Sequence, residues 1–378
     1  MSGDLRTQLV RLANHFGPSP EFARAGGGNA SVKLDGVLHI KASGTTLADL
    51  CGEDLIPLRL GPLLDALESE ATVVGDPVMA AAERARVCGP GGRRPSVEIL
   101  FHALIPEPLV LHLHPLAANA VTCNERGKEL TRQLLGDDAI WVDYIDPGVP
   151  LARGIAAARD DFEHRTGRPA PQITMLGNHG IILAWHTYDD VAERTTWLTT
   201  TITDAIAATI PVSAPRYPEG LQAGDLVDLA EDFRRATDAD AVVHDADAFI
   251  ADTTDLSAGP VSRGPLIPDQ IVYAGSLPAL LRATDNADTV SEVVAQFRST
   301  NGRSPVIAVI PRVAAFAVGT SERAARNALD TYRDALRTAR DADRLGRVRV
   351  MDERERHFIE NWEAEAYRRS VAESESAH

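Results

Sequence analysis

Residues 25–44 read Ala25-Gly-Gly-Gly-Asn-Ala-Ser-Val-Lys-Leu-Asp-Gly-Val-Leu-His-Ile-Lys-Ala-Ser-Gly44, with two short β-forming runs on either side of an Asp-Gly turn. This pattern is typical of a β-hairpin opened by a glycine loop. Helix-forming stretches flank it, and the apolar run Leu109–His114 predicts a further buried strand, after a short helix that ends before Pro106. Because hairpins join antiparallel strands, we expect an α/β fold with a mixed, largely antiparallel sheet flanked by helices, rather than a parallel doubly wound sheet.

The chain has 378 residues, a length that favours two domains. The segment Pro211–Pro218 contains three prolines and predicts the boundary, which places the domains at residues 1–210 and 219–378. In the second domain, residues 223–251 are acidic and rich in alanine, which favours helix, and Gln270–Val272 has the composition of a strand. We therefore expect a C-terminal α/β domain.

The composition is that of an ordinary soluble globular protein, with 44% hydrophobic and 24% charged residues and a formal net charge of −16. An acidic balance argues against binding to nucleic acid or to an anionic membrane, because such binding requires basic residues to neutralise phosphates. Met1–Arg6 lacks the apolar core of a signal peptide, and no run of about 18 apolar residues predicts a membrane span. Since Cys51, Cys88 and Cys123 share no CxxC spacing, we expect a cytoplasmic protein in a reducing compartment.

The pair His112-Leu-His114 is the sharpest chemical feature. On a strand, residues i and i+2 point to the same face, so both imidazoles can reach one metal ion. His179, between two short strands and next to Gly180, is the best third ligand, and three histidines with an open position are typical of a catalytic zinc site. Two strand histidines can also form a hydrogen-bonded pair without metal. The competing third ligands are His102, His164, His186 and His244.

Two segments of the chain resemble each other. Pro171–Leu176 leads to Ile182–Thr187 and a helix, and Pro305–Ile310 leads to Ala315–Thr320 and another helix, with one deletion. Only the first segment carries a histidine in its turn. The second half is then either a degenerate copy that kept the fold and lost the metal site, or similar only because any strand–turn–strand–helix unit shows this pattern.

Three further elements bear on chemistry. Glu98 lies at the predicted start of a helix, where Ser96 can cap the helix and a carboxylate complements its dipole. The loops at residues 26–29 and 41–44 combine exposed backbone N–H groups with small side chains, which suits a phosphate or a carboxylate. Each element has a purely structural interpretation when it is taken alone.

Taken in chain order, these elements resemble the class II aldolase/adducin family, and most closely the aldolase module of rhamnulose-1-phosphate aldolase/dehydrogenase fusion proteins. The five motifs are Gly28–Lys33, Lys41–Gly44, Pro95–Glu98 with His102, His112–Pro115 and Asn178–Gly180. The C-terminal segments Pro268–Tyr273, Val318–Gly319 and Phe358–Glu365 match the same group. The resemblance therefore covers nearly the whole chain, and the dehydrogenase half of the fusion proteins is not expected in it.

The resemblance implies a site and a fold, a three-layer class II aldolase-like domain. It places the catalytic acid/base at Glu98, and at Tyr144 a tyrosine that protonates the leaving aldehyde oxygen. Val97 stands where the family usually has Ser or Thr, so one phosphate donor is missing, and Lys41, Arg93 or Arg94 can supply charge. The implied zinc ligands are His112, His114 and His179, and the implied phosphate-binding positions are Asn29, Lys41, Ser43, Gly44 and Ser96. Three imidazoles suit zinc, and manganese, cobalt or iron can bind the same set.

The implied function is zinc-dependent cleavage of a ketose 1-phosphate to dihydroxyacetone phosphate and an aldehyde, through a zinc-stabilised enediolate. The same scaffold supports 4-epimerisation of a pentulose phosphate and dehydration of a sugar phosphate, so fold alone does not choose among them. A non-catalytic, adducin-like binding module is the alternative of another class, and it is expected to lack metal ligands. The family also implies a homo-oligomer, usually a tetramer.

Overall fold

The computed structural model describes residues 4–69, 76–87, 92–209, 223–254 and 263–362. The chain forms two compact units, Met1–Ala208 and Thr209–His378, which we call the first and the second unit. The proline-rich segment Pro211–Pro218, which predicts the domain boundary, lies outside the described residues. No helix in the described part of the chain is long and apolar enough to cross a membrane.

The first unit contains a seven-stranded sheet in the order β3-β2-β1-β4-β7-β6-β5, in which only β5 and β6 are parallel neighbours. Helices cover both faces of this sheet. One face is covered by α2, α3, α4 and α7, and the other by α1, α5, α6 and α8. The mixed, largely antiparallel three-layer fold is therefore confirmed. The strands are β1 (Asn29–Leu34), β2 (Val37–Lys41), β3 (Leu55–Arg59), β4 (Leu109–Leu113), β5 (Ala139–Val142), β6 (Ile173–Leu176) and β7 (Gly180–Trp185). The helices are α1 (Leu5–Phe16), α2 (Leu60–Glu68), α3 (Pro77–Ala85), α4 (Ile99–Leu104), α5 (Leu116–Thr122), α6 (Gly127–Leu135), α7 (Val149–Thr166) and α8 (Tyr188–Ala207).

The hairpin that decides the sheet type forms as the sequence predicts. Asp35 and Gly36 both have positive φ, 49° and 75°, as the two-residue turn between β1 and β2 requires. β4 then pairs with the other edge of β1 and is buried along its whole length. This central position explains its apolar sequence and places the histidines at its C-terminal end inside the unit.

The second unit contains a four-stranded sheet in the order β8-β11-β10-β9. Two expectations for this unit are wrong. The alanine-rich segment at residues 223–251 is interrupted by a strand, because Ala241-Val-Val has β-branched residues. Gln270–Val272 is helical and not a strand, because Pro268 is a favourable first residue of a helix. The strands are β8 (Ala241–Asp245), β9 (Ala279–Leu280), β10 (Ile307–Ile310) and β11 (Ala314–Gly319). The helices are α9 (Ala223–Thr237), α10 (Ala248–Thr253), α11 (Pro268–Ala274), α12 (Ala287–Asn301), α13 (Glu322–Leu345) and α14 (Glu353–Asn361).

The connectivity of β8 to β11 is the same as that of β4 to β7. In each set the first strand pairs antiparallel with the fourth, the fourth pairs antiparallel with the third, and the third pairs parallel with the second. Unrelated topologies would have excluded an internal repeat. The repeat is consistent with this topology and stays a proposal.

Candidate metal centre and active site

Three histidines from distant parts of the sequence form one cluster. His112 lies in β4, His114 follows it, and His179 lies in the turn between β6 and β7. One ring nitrogen from each lies within 4.8 Å of the others, and the ring centroids are 4.8 to 5.4 Å apart. This spacing allows a single ion to contact all three rings.

Gly180 is what lets the turn approach the strand end so closely. A Cβ atom at this position would lie 2.4 Å from the Leu113 carbonyl oxygen and 2.5 Å from Cδ2 of His114. The turn is fixed from the other side by Asn178, whose backbone amide donates to the Thr122 carbonyl at 2.9 Å. Asn178 has φ of 48°, a conformation that asparagine tolerates better than most residues.

A backbone carbonyl fixes the orientation of the His112 ring. Its Nδ1 lies 2.8 Å from the Ile181 carbonyl, which can only accept a hydrogen bond, so Nδ1 carries the proton. Nε2 therefore presents a lone pair to the cluster, where Nε2 of His114 lies 3.0 Å away. Burial, together with the other two imidazoles, lowers the pKa of His112 to about 3 against the opposing charge of Glu98. A neutral ring held by a carbonyl is the form that ligates divalent metals, so the donor set fits such an ion.

The Glu98 carboxylate lies beside the cluster. One oxygen, Oε1, is 3.1 Å from Nε2 of His179 and 3.5 Å from Nε2 of His112, and the other accepts a hydrogen bond from the Asn29 side-chain amide. Burial raises the pKa of Glu98, but the imidazoles of His112 and His179 outweigh it and hold the pKa below the usual range. Glu98 thus precedes α4 as a buried carboxylate directed at the histidines, beyond any part in the helix dipole.

The glycine loop before β1 brings Asn29 to this site. Asn29 is the cross-strand partner of His112, which places it on the cluster side of the sheet. Gly28 has φ of 74°, and a Cβ there would lie 2.8 Å from the His112 carbonyl oxygen. The loop therefore serves a close approach between two backbones, which only glycine permits.

The residues predicted to bind phosphate lie on neighbouring segments. Ser43 and Gly44 are partly exposed in one turn, and the Ser43 amide donates to the Arg94 carbonyl at 2.8 Å, next to the buried Ser96. Lys41 is buried, and its ammonium donates to the carbonyl oxygens of Thr45 at 2.5 Å and Gly26 at 3.4 Å, which ties the two loops together. Binding of an anion by these residues stays a prediction.

The other candidates lie elsewhere or keep an untested role. His164 and His186 are exposed, and His244 lies in β8 of the second unit. His102 is buried in α4 and hydrogen-bonded to Ser31, outside the cluster. Tyr144 follows β5, and its backbone amide passes beside Gly177 in the turn that carries His179, while its role as a proton donor stays a prediction.

Sequence reasoning missed two polar residues beside the site. Ser31 and Lys33 alternate with Ala30 and Val32 along β1, so they share the face of Asn29. Their side chains bond to His102 on α4, Ser31 through its hydroxyl and Lys33 through its ammonium. This two-residue alternation was the signal that could have found them.

The class of protein follows from comparison with known families. Residues 7–205 match the family model described as Class II Aldolase and Adducin N-terminal domain, and residues 298–368 match the model described as Aldolase class II, second domain. The first match covers more than half of the chain. The chain therefore belongs to the class II aldolase and adducin family, as its motifs indicate.

Individual relatives are distant. A curated protein of Bacillus subtilis (strain 168), Uncharacterized oxidoreductase YuxG, is 23% identical over 412 aligned positions, which cover 98% of this chain and 59% of the relative. The chain thus spans about 59% of the length of the curated relative that it matches.

Solved structures are similar to this chain at low sequence identity. The N-terminal class II aldolase domain of a conserved Thermoplasma acidophilum protein is 22% identical, with 55% of this chain and 95% of that chain covered and a TM-score of 0.47. The L-fuculose-1-phosphate aldolase of Thermus thermophilus is 18% identical, with 53% and 90% covered and a TM-score of 0.35. A sugar-phosphate aldolase of Thermotoga maritima is 14% identical, with 58% and 100% covered and a TM-score of 0.39.

Proposed function

We propose that this protein is a zinc-dependent aldolase that cleaves a ketose 1-phosphate to dihydroxyacetone phosphate and an aldehyde. The observation that carries the proposal is the position of the Glu98 carboxylate, with Oε1 3.1 Å from Nε2 of a histidine in the three-histidine cluster. A non-catalytic module has no need of a buried carboxylate beside three clustered histidines. Membership of the class II aldolase and adducin family supports the reaction class.

His112, His114 and His179 are the proposed zinc ligands. Zinc bound there supplies Lewis-acid stabilisation of the negative charge that develops on the substrate oxygens. Glu98 removes or returns the proton at the carbon next to the carbonyl, a task for which it is ionised and directed at the cluster. Asn29 holds the second carboxylate oxygen and so leaves Oε1 as the base.

The phosphate end of the substrate is proposed to bind at the loops around Gly26 and Thr45, which Lys41 links through hydrogen bonds. Ser43, Gly44 and Ser96 offer hydroxyl and amide donors for a phosphate, and Lys41 fixes the loops that carry them. Binding energy from the phosphate then orients the reacting carbons. Tyr144 is the proposed proton donor to the leaving aldehyde oxygen.

The experiment is a zinc assay and a cleavage assay on the same preparations. We expect about one zinc per chain, lost in His112→Ala and His179→Ala, and release of triose phosphate from a panel of ketose 1-phosphates. Glu98→Gln is expected to keep zinc and lose at least about 100-fold in kcat. The control is Glu129→Gln, an exposed glutamate on α6, which is expected to keep both.

The alternatives give different results in the same assay. Formation of an isomer without triose release would favour a pentulose-phosphate 4-epimerase, and loss of water would favour a dehydratase. A chain without zinc and without turnover across the panel would overturn the proposal in favour of an adducin-like binding module.

The proposal also includes a cytoplasmic homotetramer that binds neither nucleic acid nor membranes. Family resemblance supports the tetramer, and the net charge of −16 supports the absence of those partners. Light scattering on the purified protein tests the oligomer. A monomer at all concentrations would contradict it.

A further inference from the structure

One face of β1 holds the helix that carries Glu98. Asn29, Ser31 and Lys33 alternate along the strand and project to the same side. Asn29 donates to the Glu98 carboxylate, whereas Ser31 and Lys33 bond to His102, one helical turn later. Three side chains on one face of β1 thus bond to Glu98, which precedes α4, and to His102 within α4.

The contact between Ser31 and His102 is short and enclosed. The Ser31 hydroxyl lies 2.7 Å from Nδ1 of His102, and both residues are fully buried. Burial holds the pKa of the His102 ring well below its usual range, so the ring is neutral. Within the described ranges, Nε2 of His102 has no hydrogen-bond partner, so the Ser31 hydroxyl is what fixes the ring.

The Lys33 side chain bonds to a helix carbonyl that has no backbone donor within the helix. In a continuing helix the His102 carbonyl would accept from the amide of residue 106, but that residue is Pro106, which has no N–H. The Lys33 ammonium donates to this carbonyl at 2.8 Å instead. Side chains of β1 therefore bond to both the ring and the backbone of His102.

We propose that Ser31 and His102 are positioning residues for Glu98, an inference that rests on the proposed aldolase function. α4 has six residues, too few to keep its own orientation, and Glu98 precedes it directly. The bond between Ser31 and His102 fixes the rotation of this short helix against β1. That rotation sets where the Glu98 carboxylate lies relative to the three histidines.

The test separates proton transfer from substrate binding and metal binding. Ser31→Ala and His102→Leu are assayed for cleavage and for exchange of deuterium from solvent into dihydroxyacetone phosphate, which reports proton abstraction alone. We expect kcat and the exchange rate to fall about 10- to 100-fold, with zinc content and KM unchanged. Ser31→Thr keeps the hydroxyl and is expected to restore most of both rates.

The outcomes distinguish this inference from the proposed function. If the unmodified protein catalyses neither reaction, the aldolase proposal fails. If it is active and Ser31→Ala keeps full kcat and exchange, or if the variant loses zinc or raises KM instead, the positioning role is overturned. Thr195→Val removes another buried hydroxyl, on α8, and is expected to change neither rate. Should His102→Leu not fold, Ser31→Ala decides alone.

A separate set of observations concerns the second unit. The β6–β7 hairpin pairs Leu176 with Gly180 and leads to a helix capped by Thr187, and the β10–β11 hairpin pairs Ile310 with Ala314 and leads to a helix capped by Ser321. Leu176 and Ile310 are separated by the same number of residues as Gly180 and Ala314, and as Thr187 and Ser321. The residues of positive φ in the two turns, Asn178 and Arg312, have the same separation.

The preceding strand and helix correspond as well. In β4 His112 pairs with Ile182, and in β8 His244 pairs with Phe316, the equivalent position of β11. In both units the amide of the positive-φ turn residue donates to a threonine at the end of the helix that follows this strand. Asn178 donates to the Thr122 carbonyl at 2.9 Å, and Arg312 to the Thr254 hydroxyl at 3.1 Å.

We infer that residues 241–254 and 263–345 are a copy of the module formed by residues 109–207, without its metal ligands. His244 stands at the His112 position. The other positions of the metal centre are occupied by Ala246 for His114, Val313 for His179 and Ala314 for Gly180. Ala314 carries the Cβ that the close approach of the turn in the first unit excludes.

Rebuilding the site tests this correspondence. In a chain whose own site is removed by His114→Ala and His179→Ala, the substitutions Ala246→His, Val313→His and Ala314→Gly are introduced together. We expect about one cobalt ion per chain, lost again on His244→Ala. A folded variant that binds no cobalt, or binds it independently of His244, overturns the copy. If this set does not fold, Val313→His with Ala314→Gly decides, because cobalt held by His244 and the substituted position 313 still joins the strand to the turn.

Discussion

Gly180→Ala is the sharpest perturbation that the candidate metal centre offers. The added Cβ would lie 2.4 Å from the Leu113 carbonyl oxygen and 2.5 Å from Cδ2 of His114. The first neighbour is backbone in the central strand, which cannot move aside alone. The turn must therefore move away from β4, and it carries His179 with it.

The expected magnitude follows from that displacement. Contacts of this kind require a shift of roughly half an ångström or more, because packed interiors have no free space to absorb a new atom. Overpacking of this sort costs about 1–3 kcal/mol of unfolding free energy. Because all three ligand nitrogens must face one ion, we expect zinc affinity to fall at least about 10- to 100-fold.

The assay is zinc titration against a competing chelator, with urea unfolding of the metal-free protein beside it. Gly61→Ala is the matched control, since Gly61 lies in α2 and a Cβ there meets nothing within 4 Å. We expect this control to bind zinc normally and to gain up to about 1 kcal/mol of stability. If Gly180→Ala binds zinc as tightly as the unmodified protein, the argument that this glycine permits the site is refuted.

Three further predictions follow from the same structure. Gly28 has φ of 74°, and the Cβ added by Gly28→Ala would lie 2.8 Å from the His112 carbonyl oxygen. We expect this variant to be less stable in urea unfolding and to have a lower kcat in the cleavage assay. An unchanged kcat would contradict the role of the loop. Burial lowers the pKa of Lys33 to about 7 against the opposing charge of Glu107, so between pH 7 and 10.5 the unfolded chain binds more protons than the folded one. The unfolding free energy should then rise with pH in that window, by at most about 1.4 kcal/mol per unit, and this slope should be absent from Lys33→Met; equal slopes in the two proteins would refute it. Removal of zinc by a chelator should lower the unfolding free energy by about 2.7 kcal/mol relative to protein in zinc at 100 times Kd, and His114→Ala should not respond.

Local chemistry explains why so much of the first unit was predictable. The Asp-Gly turn has one favoured geometry between β strands, so residues 25–44 predicted the hairpin and with it the sheet type. The histidine pair at 112 and 114 follows from the two-residue period of a strand. His179 was preferred as the third ligand from its turn alone, among several histidines. The position of Glu98 beside the cluster depended on the family resemblance, because no local pattern encodes a contact between distant segments.

The errors have equally physical causes. Gln270–Val272 was expected to be a strand from three residues, but the proline two positions earlier begins a helix. Matching hydrophobic runs by composition aligns the two similar segments with one deletion. The proposed copy has a register without a deletion, because the helix caps Thr187 and Ser321 then correspond.

In the first unit, the histidine cluster and the glutamate beside it come from different segments of the chain, and only one of these segments has a counterpart among the described residues of the second unit. The proposed metal ligands come from a strand and a hairpin that have counterparts in both units. Glu98, Asn29 and Ser31 come from the segment before β4, which supplies β1, the strand paired with the other edge of β4. In the described part of the second unit, β8 has β11 on one side and no strand in the place of β1. Histidines restored around His244 would therefore bind a metal without a base beside it. Cleavage activity is expected to remain absent from that variant, because the proposed function assigns metal binding and proton transfer to different segments of the fold.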